Sequence, residues 1–163
     1  MVDIKNVMNI VILYCQNRGY SITPLKLQKL LYFIQAWHIV NFNKETLFEE
    51  LPEAWVNGPV YRSVYNTFKT QFYRNDNFKA PPLDEIPQKL EKMIELSSLS
   101  EDKQKFIFEV LEVYAPMSDE SLIFLTHKAF PWNNARKGYS SIERCTNYIS
   151  IEDMYNYYSK KNN

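Results

Sequence analysis

Residues 23–38 constrain the fold more than any other segment, because they predict a helix that is apolar on every side. Thr23 is a suitable N-cap, and Pro24 fits the first helical position, where its missing N–H is not needed. The apolar side chains recur at helical spacing and cover the whole cylinder: Leu27, Leu30, Leu31, Phe33, Ile34, Ala36, Trp37 and Val40. Such a helix needs neighbours on all sides. The sequence therefore predicts a central helix over about residues 23–43 within an α-helical bundle.

The rest of the chain also favours helices in one domain. A chain of 163 residues suits a single core, and its 3 glycines leave few positions for the tight turns of a many-stranded sandwich. Residues 47–56 lack helical spacing and predict one short β-hairpin or strand pair. Asn57 and Gly58 predict a turn into a further helix, with Pro59 at its first turn and an apolar stripe through residues 61–72. The predicted fold class is mainly α, a single-domain helical bundle.

Several other helix starts carry recognisable N-caps. Asp3, Ser100 and Ser118 each precede a segment with apolar residues at helical spacing. Acidic residues follow the two serines, where they complement the positive end of the helix dipole. A last helix is expected over about residues 151–160.

The composition limits the function classes. The 19 basic and 19 acidic side chains cancel, so no electrostatic footprint for strong binding to nucleic acid or to anionic membranes is present. Cys15 and Cys145 form no paired motif, which is typical of a reducing cytoplasm. Residues 7–15 are interrupted by Asn9 and lack a signal-peptide cleavage site, and no segment is long enough to span a bilayer. We therefore expect a cytoplasmic protein with no membrane partner.

The two histidines invite a metal or general-base hypothesis. His38 and His127 each follow an apolar helical run, and neither has a second ligand three or four residues on. A zinc site would need Cys15, Cys145 and both histidines to meet through the tertiary fold. The favoured interpretation is an imidazole that is hydrogen-bonded between helices, and we expect no metal and no cofactor.

Other catalytic patterns are missing from the sequence. It contains no Gly-x-Ser-x-Gly elbow, no glycine-rich phosphate loop and no His-Glu-x-x-His helix. Glu49, Glu50 and Glu53 form the densest acidic cluster near the aromatic centre and could hold a carboxylate pair of the glycosidase type. Solvated carboxylates are the favoured interpretation, and no catalytic residue is assigned.

Large aromatic residues and an arginine offer a second, non-catalytic possibility. Trp55, Tyr61, Tyr65, Trp132 and Arg136 could form a recognition surface, because such residues dominate binding hot spots. The alternative is that the aromatic rings fill the core while the arginine pairs with a helix C-terminus or a carboxylate.

Three ordered motifs resemble the Panacea domain, the family of SocA-like antitoxins and phage- or mobile-element-associated proteins. Residues 27–38 read LQKLLYFIQAWH. Residues 47–50 and 53–60 read LFEE and EAWVNGPV, followed by Val64 and Tyr65. Leu122, Thr126 and His127 precede residues 131–136, which read PWNNAR. The likeness covers residues 23–137, and on this resemblance we expect one Panacea domain over residues 1–163.

The resemblance implies a non-enzymatic antitoxin of a toxin–antitoxin or phage-defence pair. It would neutralise a cognate protein toxin, usually encoded by an adjacent gene, by direct protein–protein interaction. In the SocA branch the resemblance also implies delivery of the toxin to a ClpXP-type protease. The motif residues taken as partner-binding or scaffold candidates are Gln28, Lys29, Tyr32, Gln35, Trp37, His38, Trp55, Gly58, Pro59, Tyr65, His127, Pro131, Trp132 and Arg136.

We expect the motif residues to build and orient the scaffold, while two variable segments, residues 74–87 and 139–149, provide partner specificity. Two rival functions stay open. A nucleic-acid-binding regulator of a mobile element would need clustered basic residues on one helix, and the best candidates are Lys103 and Lys105. An unrecognised hydrolase would be centred on His38 or His127 and would need a polar pocket.

Overall fold

The computed structural model describes residues 1–161. Within that range the chain forms nine α-helices and one two-stranded antiparallel hairpin, which confirms the predicted mainly α, single-domain fold. The helices are α1 (Ile4–Arg18), α2 (Pro24–Asn41), α3 (Arg62–Thr67), α4 (Lys69–Arg74), α5 (Ile86–Ser97), α6 (Glu101–Tyr114), α7 (Asp119–His127), α8 (Phe130–Ala135) and α9 (Ile151–Lys161). The strands are β1 (Glu53–Trp55) and β2 (Gly58–Val60).

Helix α2 is the centre of the bundle, as its all-round apolar surface predicts. It packs against α1, α4, α6, α7, α9 and β2. Nearly every side chain from Pro24 to Ile39 is buried, and Trp37 is partly exposed. The Thr23 side chain accepts a hydrogen bond from the Lys26 N–H at 3.1 Å, so the expected N-cap is present. The helix ends at Asn41, which agrees with the expected end at about residue 41 or 43.

The hairpin lies later in the chain than predicted. Its strands pair Glu53 with Val60 and Trp55 with Gly58, so the turn formed by Val56 and Asn57 closes a hairpin and does not start a helix. Pro59 therefore lies in β2, opposite Ala54, and its expected place in a first helical turn was wrong. The physical reason is the positive φ of 108° at Gly58, a conformation that suits a tight hairpin turn.

Strand β1 is covered along its second edge as well. The Ala54 N–H donates to the Asn147 carbonyl oxygen at 2.8 Å, and the Ile149 N–H donates to the Pro52 carbonyl oxygen at 2.9 Å. Glu53 and Tyr148 form an isolated antiparallel bridge. Residues 147–149 thus lie beside β1 like a third strand, and they tie the segment before α9 to the hairpin.

The single helix expected over residues 61–72 is divided in two. Phe68 leaves the helical conformation, with φ −119° and ψ 32°, and separates α3 from α4. Its ring packs edge-on against Phe78, with the ring centroids 4.6 Å apart. Among residues 1–161, no helix is both long enough and apolar enough to cross a membrane.

Candidate protein-binding surface

Gln28 holds the end of the hairpin from inside the protein. Its amide nitrogen donates to the carbonyl oxygen of Tyr61 at 3.2 Å, and its amide oxygen accepts from the N–H of Tyr61 at 2.8 Å. Both residues are buried. Two hydrogen bonds to one residue's backbone therefore determine where β2 ends and α3 begins.

Gln35 does the same for the segment before the hairpin. Its amide nitrogen donates to the Phe48 carbonyl oxygen at 2.8 Å, and its amide oxygen accepts from the Leu47 N–H at 2.7 Å. The two glutamines lie seven residues apart, two turns along α2, and both side chains pair with non-helical backbone. The polar positions of the central helix thus anchor loops.

Lys29 is fully buried between α2 and the hairpin. Its Nζ donates to the Pro59 carbonyl oxygen at 3.1 Å, and it forms no ion pair with any residue in the described range 1–161. Burial lowers the pKa of Lys29 to about 7. A Cβ at Gly58 would lie 2.5 Å from Lys29 Cε and 2.9 Å from Thr126 Oγ1. A larger residue would have to displace the buried Lys29 and Thr126 side chains, and the positive φ of Gly58 also disfavours it.

His38 is hydrogen-bonded through both ring nitrogens. Nδ1 lies 2.7 Å from the Glu45 carbonyl oxygen and must donate, because a carbonyl oxygen only accepts. Nε2 then accepts from Lys103 Nζ at 2.6 Å. Burial lowers the pKa of His38, and the Lys103 charge acts in the same direction. The expected interior hydrogen-bonded imidazole is thus present, and it joins α2 to α6.

Arg136 and Trp132 fix the backbone beside β1. The Arg136 guanidinium donates to the carbonyl oxygens of Ala54 at 2.8 Å, Ser140 at 2.8 Å and Glu143 at 2.6 Å. Trp132 Nε1 donates to the Trp55 carbonyl oxygen at 2.8 Å. The expectation that Arg136 pairs with a carboxylate or a helix C-terminus was wrong, because strand and loop carbonyl oxygens take its N–H groups.

The acidic cluster is only partly solvated. Glu53 is buried and accepts from Arg62 Nη2 at 2.7 Å, from Arg62 Nε at 3.0 Å and from Trp55 Nε1 at 3.1 Å. Although burial acts to raise the pKa of Glu53, these bonds hold it below its usual value. Glu50 accepts from Ser63 at the start of α3, and Glu49 is exposed. The expected solvation was therefore wrong for Glu53, which serves as an internal anchor for Arg62.

Two further motif residues belong to the aromatic core around α9. Tyr32 is fully buried, and its hydroxyl accepts from the Tyr158 hydroxyl at 3.4 Å. Trp37 is partly exposed, and its Nε1 donates to the Tyr114 hydroxyl at 2.8 Å. Both residues join α2 to neighbouring helices.

His127 and Pro131 lie at the junction of α7 and α8. The His127 ring stacks on Trp132 with a centroid separation of 4.2 Å, and burial lowers the pKa of His127. Its buried Nε2 has no hydrogen-bond partner in residues 1–161. Pro131 is buried in the first turn of α8. Among those same residues, no group of three or more His, Cys, Asp or Glu side chains could hold a metal ion.

An open cleft, here called the hairpin groove, lies on the outer side of this internally anchored region. It has a volume of about 490 Å³ and is formed by the hairpin, α3, α4 and residues 142–145. Its aromatic and aliphatic lining residues are Trp55, Val56, Val60, Tyr65, Phe72, Tyr73 and Ile142. Its basic lining residues are Arg62, Lys69 and Arg144. A volume between about 300 and 1,000 Å³ is typical of binding pockets.

Aromatic rings and cations interleave in the hairpin groove. Tyr65 contacts Trp55 edge-on with ring centroids 4.9 Å apart, and its hydroxyl is 2.7 Å from the Tyr73 hydroxyl. The Arg62 guanidinium lies 5.1 Å from the Trp55 ring centroid, and Lys69 Nζ lies 6.0 Å from that of Tyr65. Large aromatic and basic side chains around a cleft are typical of a protein recognition surface.

The sequence motifs point to only part of this groove. Trp55 and Tyr65 are motif residues, whereas Lys69, Tyr73 and Arg144 belong to no motif. A signal for the wall formed by α3 and α4 was present: residues 62, 65, 69 and 72 recur at helical spacing and alternate between basic and aromatic. The prediction of residues 139–149 as a variable specificity segment includes Ile142 and Arg144, which line the groove.

The basic residues considered for nucleic-acid binding do not form a free patch. Lys103 is turned inward to His38, and its Nζ is also 3.6 Å from Glu45 Oε1. Lys105 is exposed. The helix α6 that carries both residues is also strongly acidic in its first turn.

Comparison with known proteins gives one family. The family model described as "Antitoxin SocA-like, Panacea domain" matches residues 27–133, about two thirds of the chain. The match extends from α2 through the hairpin to the first turn of α8. No curated protein and no solved structure matches the chain.

Proposed function

The chain belongs to the family of SocA-like antitoxins that share the Panacea domain, and from this premise we propose that it neutralises a cognate protein toxin by direct binding in the hairpin groove. The observation that carries the choice of surface is the fixed backbone of the groove walls. Arg136 and Trp132 anchor β1 and residues 140–143, and Gln28 anchors the residue before α3. A surface ordered before binding loses less conformational entropy when a partner binds.

In this proposal the protein acts by binding its partner and catalyses no reaction. The buried lysine and both histidines serve the scaffold: Lys29 and His38 bond to backbone carbonyl oxygens, and His127 stacks on Trp132. The toxin would be held by side chains at the rim of the groove. Tyr73 and Ile142 support this, because they are 75% and 85% exposed although both are large and apolar.

The proposal also divides the chain into scaffold and specificity residues. Most motif residues are buried, and several of their polar side chains, such as those of Gln28, Gln35 and Arg136, bond to backbone groups, which suits a framework that tolerates different partners. The rim residues of α4 and of residues 139–149 lie on or beside the two segments expected to provide specificity. Toxin choice would then depend on residues outside the family motifs.

Co-expression tests this function directly. The growth-inhibiting product of the adjacent gene is expressed with the wild-type chain, with the groove variant Tyr73→Ala/Ile142→Ala, or with the control Leu96→Ala/Phe124→Ala. The control pair is also large, apolar and exposed, at 60% and 63%, but lies outside the groove and outside both specificity segments. We expect rescue of growth by the wild type and the control and loss of rescue by the groove variant. Equal rescue by both variants would exclude the groove, and no rescue by the wild type would exclude this toxin pair.

A second arm separates binding from proteolytic delivery. The same rescue is measured in a strain that lacks the ClpXP-type protease. Neutralisation by binding predicts full rescue in this strain and a toxin that stays intact in complex with the chain. Rescue that needs the protease, with a toxin half-life shortened by the chain, would instead assign it an adaptor role.

A further inference from the structure

The hairpin groove carries a local positive charge on a protein whose overall charge is zero. Arg62, Lys69 and Arg144 line it, and no carboxylate of the described residues does. The charge of Arg62 is already compensated by its two bonds to Glu53. Lys69 and Arg144 are exposed, and neither forms an ion pair within residues 1–161. Two cations without an ion-pair partner in the described range, Lys69 and Arg144, therefore border an aromatic cleft.

Apolar side chains dominate the area between these cations. Trp55 and Phe72 are half-buried, whereas Tyr73 and Ile142 are mostly exposed at the rim. An exposed isoleucine and tyrosine beside a cleft favour contact with a large apolar side chain of a partner, because burial removes their surface from water. The site thus combines apolar contact with attraction for negative charge.

On this charge complementarity we infer that the hairpin groove binds an acidic polypeptide segment whose aspartate or glutamate residues flank a large apolar residue. The inference rests on the proposed function, since the segment would belong to the toxin. The carboxylates would pair with Lys69 and Arg144, and the apolar residue would lie against Trp55, Phe72 and Ile142. Charges at the rim would steer the partner to the groove, and the apolar contact would retain it.

A single-stranded nucleic acid fits the groove less well, although it too combines negative charge with stacking. Binding of such strands relies on a groove that tracks many phosphates, and among residues 1–161 only Lys69 and Arg144 line the groove as cations without an ion-pair partner. Ile142, the most exposed large apolar residue of the groove, is aliphatic and offers no stacking face. The acidic polypeptide is therefore the occupant that the side chains favour.

Selection from a displayed library of random short peptides tests the ligand class without knowledge of the toxin. The full-length chain is immobilised, and bound peptides are sequenced. We expect enrichment of peptides with Asp or Glu on both sides of Leu, Ile, Phe or Trp. Enrichment of basic or neutral peptides, or no enrichment, would overturn the inference, as would complete competition by oligothymidylate at lower concentration than the selected peptide.

Reversing the charges of Lys69 and Arg144 tests whether these two residues bind the peptide. The variant Lys69→Glu/Arg144→Glu is compared with Lys92→Glu/Lys105→Glu, which makes the same change in net charge at exposed positions outside the groove. We expect a selected peptide to bind the groove variant roughly tenfold more weakly and the control unchanged. A peptide with Lys in place of its acidic residues should regain affinity for the groove variant. Equal loss in both variants, or no regain, would contradict the inference.

These results are independent of toxin rescue. Acidic peptides selected by a chain that fails to rescue growth would retain the ligand class and remove the toxin assignment. Rescue of growth by the variant Lys69→Glu/Arg144→Glu would retain the toxin assignment and remove an acidic segment of the toxin as the ligand of the groove.

Discussion

Gln28 and Tyr61, 33 residues apart in the chain, form a reciprocal pair in which one side-chain amide satisfies both backbone groups of the other residue. The geometry resembles one step of a β-ladder, with a glutamine side chain in place of a strand. The pair joins the central helix to the end of the hairpin. The antitoxin's groove wall formed by α3 therefore begins at a residue that α2 holds.

Gln28→Met keeps the size of this side chain and removes both hydrogen bonds. The buried N–H of Tyr61 loses its partner, whereas its carbonyl oxygen keeps the hydrogen bond from the Tyr65 N–H at 3.0 Å, so the free energy of unfolding should fall by about 1–3 kcal/mol. Urea unfolding followed by circular dichroism measures the change. The matched control is Gln88→Met, at an exposed position of α5. Its free energy of unfolding should stay within about 0.5 kcal/mol of the wild-type value. Equal stability of the two variants would show that the Gln28 bonds contribute nothing.

Gly58→Ala tests the close approach of the hairpin to Lys29. The new Cβ would meet Lys29 Cε at 2.5 Å in addition to the strain of a positive φ. Gly19→Ala is the control, because Gly19 also has a positive φ, of 75°, but nothing within 4 Å of the new Cβ. The control should lose about 1–2 kcal/mol from strain alone. Gly58→Ala should lose clearly more in the same thermal or urea unfolding experiment, and a loss no larger than that of the control would refute the steric argument.

The buried ammonium of Lys29 should make stability depend on pH. Its pKa is about 7 in the folded protein against a usual 10.5, so between these values the unfolded chain binds more protons than the folded one. The free energy of unfolding therefore rises with pH across this window, at up to about 1.4 kcal/mol per pH unit, and the gain is lost as pH falls toward 7. Lys29→Met removes the effect. The stability difference between wild type and Lys29→Met, measured from about pH 7 to 9.5, should change in favour of the wild type, and parallel curves would exclude the shift.

Arg136→Lys should loosen the groove wall without unfolding the bundle. Lysine keeps the charge but lacks the planar fork of donors that reaches three carbonyl oxygens. We expect faster amide hydrogen exchange in residues 139–146 and weaker binding of the selected acidic peptide. Arg18→Lys, at an exposed arginine of α1 that pairs with Glu112 and lies outside the groove, is the control and should change neither. Unchanged exchange in residues 139–146 would contradict the role of Arg136.

The helical framework was predictable because its signals are local. The all-round apolar pattern of residues 23–38 placed α2 at the centre, and the capping residues Thr23, Ser100 and Ser118 each accept the expected backbone hydrogen bond. Periodicity and capping depend on residues a few positions apart. A short stretch of sequence is therefore enough to recognise a helix and its first residue.

The hairpin was predicted at the wrong position because the sequence Asn-Gly-Pro is compatible with two local structures. The same residues can start a helix at the proline or close a hairpin before it, and the choice depends on what packs against them. Here Lys29 lies under Gly58, and Gln28 accepts from the first residue after β2. These partners are distant in sequence, so no local pattern could reveal them.

The groove was only partly predictable for a related reason. Trp55 and Tyr65 were selected as recognition candidates, but their cationic neighbour Arg144 comes from a segment without periodicity or motif. Arg136 positions that segment by bonding to carbonyl oxygens, which every residue carries. A hydrogen bond to a backbone carbonyl oxygen does not require a particular residue type in the partner, so the sequence does not reveal it.

The occupied edges of β1 determine what kind of change can alter partner choice. With β2 on one side and residues 147–149 on the other, this strand has no free main-chain ladder to offer an incoming polypeptide. Under the proposed function, discrimination would come from side chains at the rim, which are exposed and contribute little to the fold's stability. A few surface substitutions would then exchange one target for another, while the interior, and with it the ability to fold, stays the same.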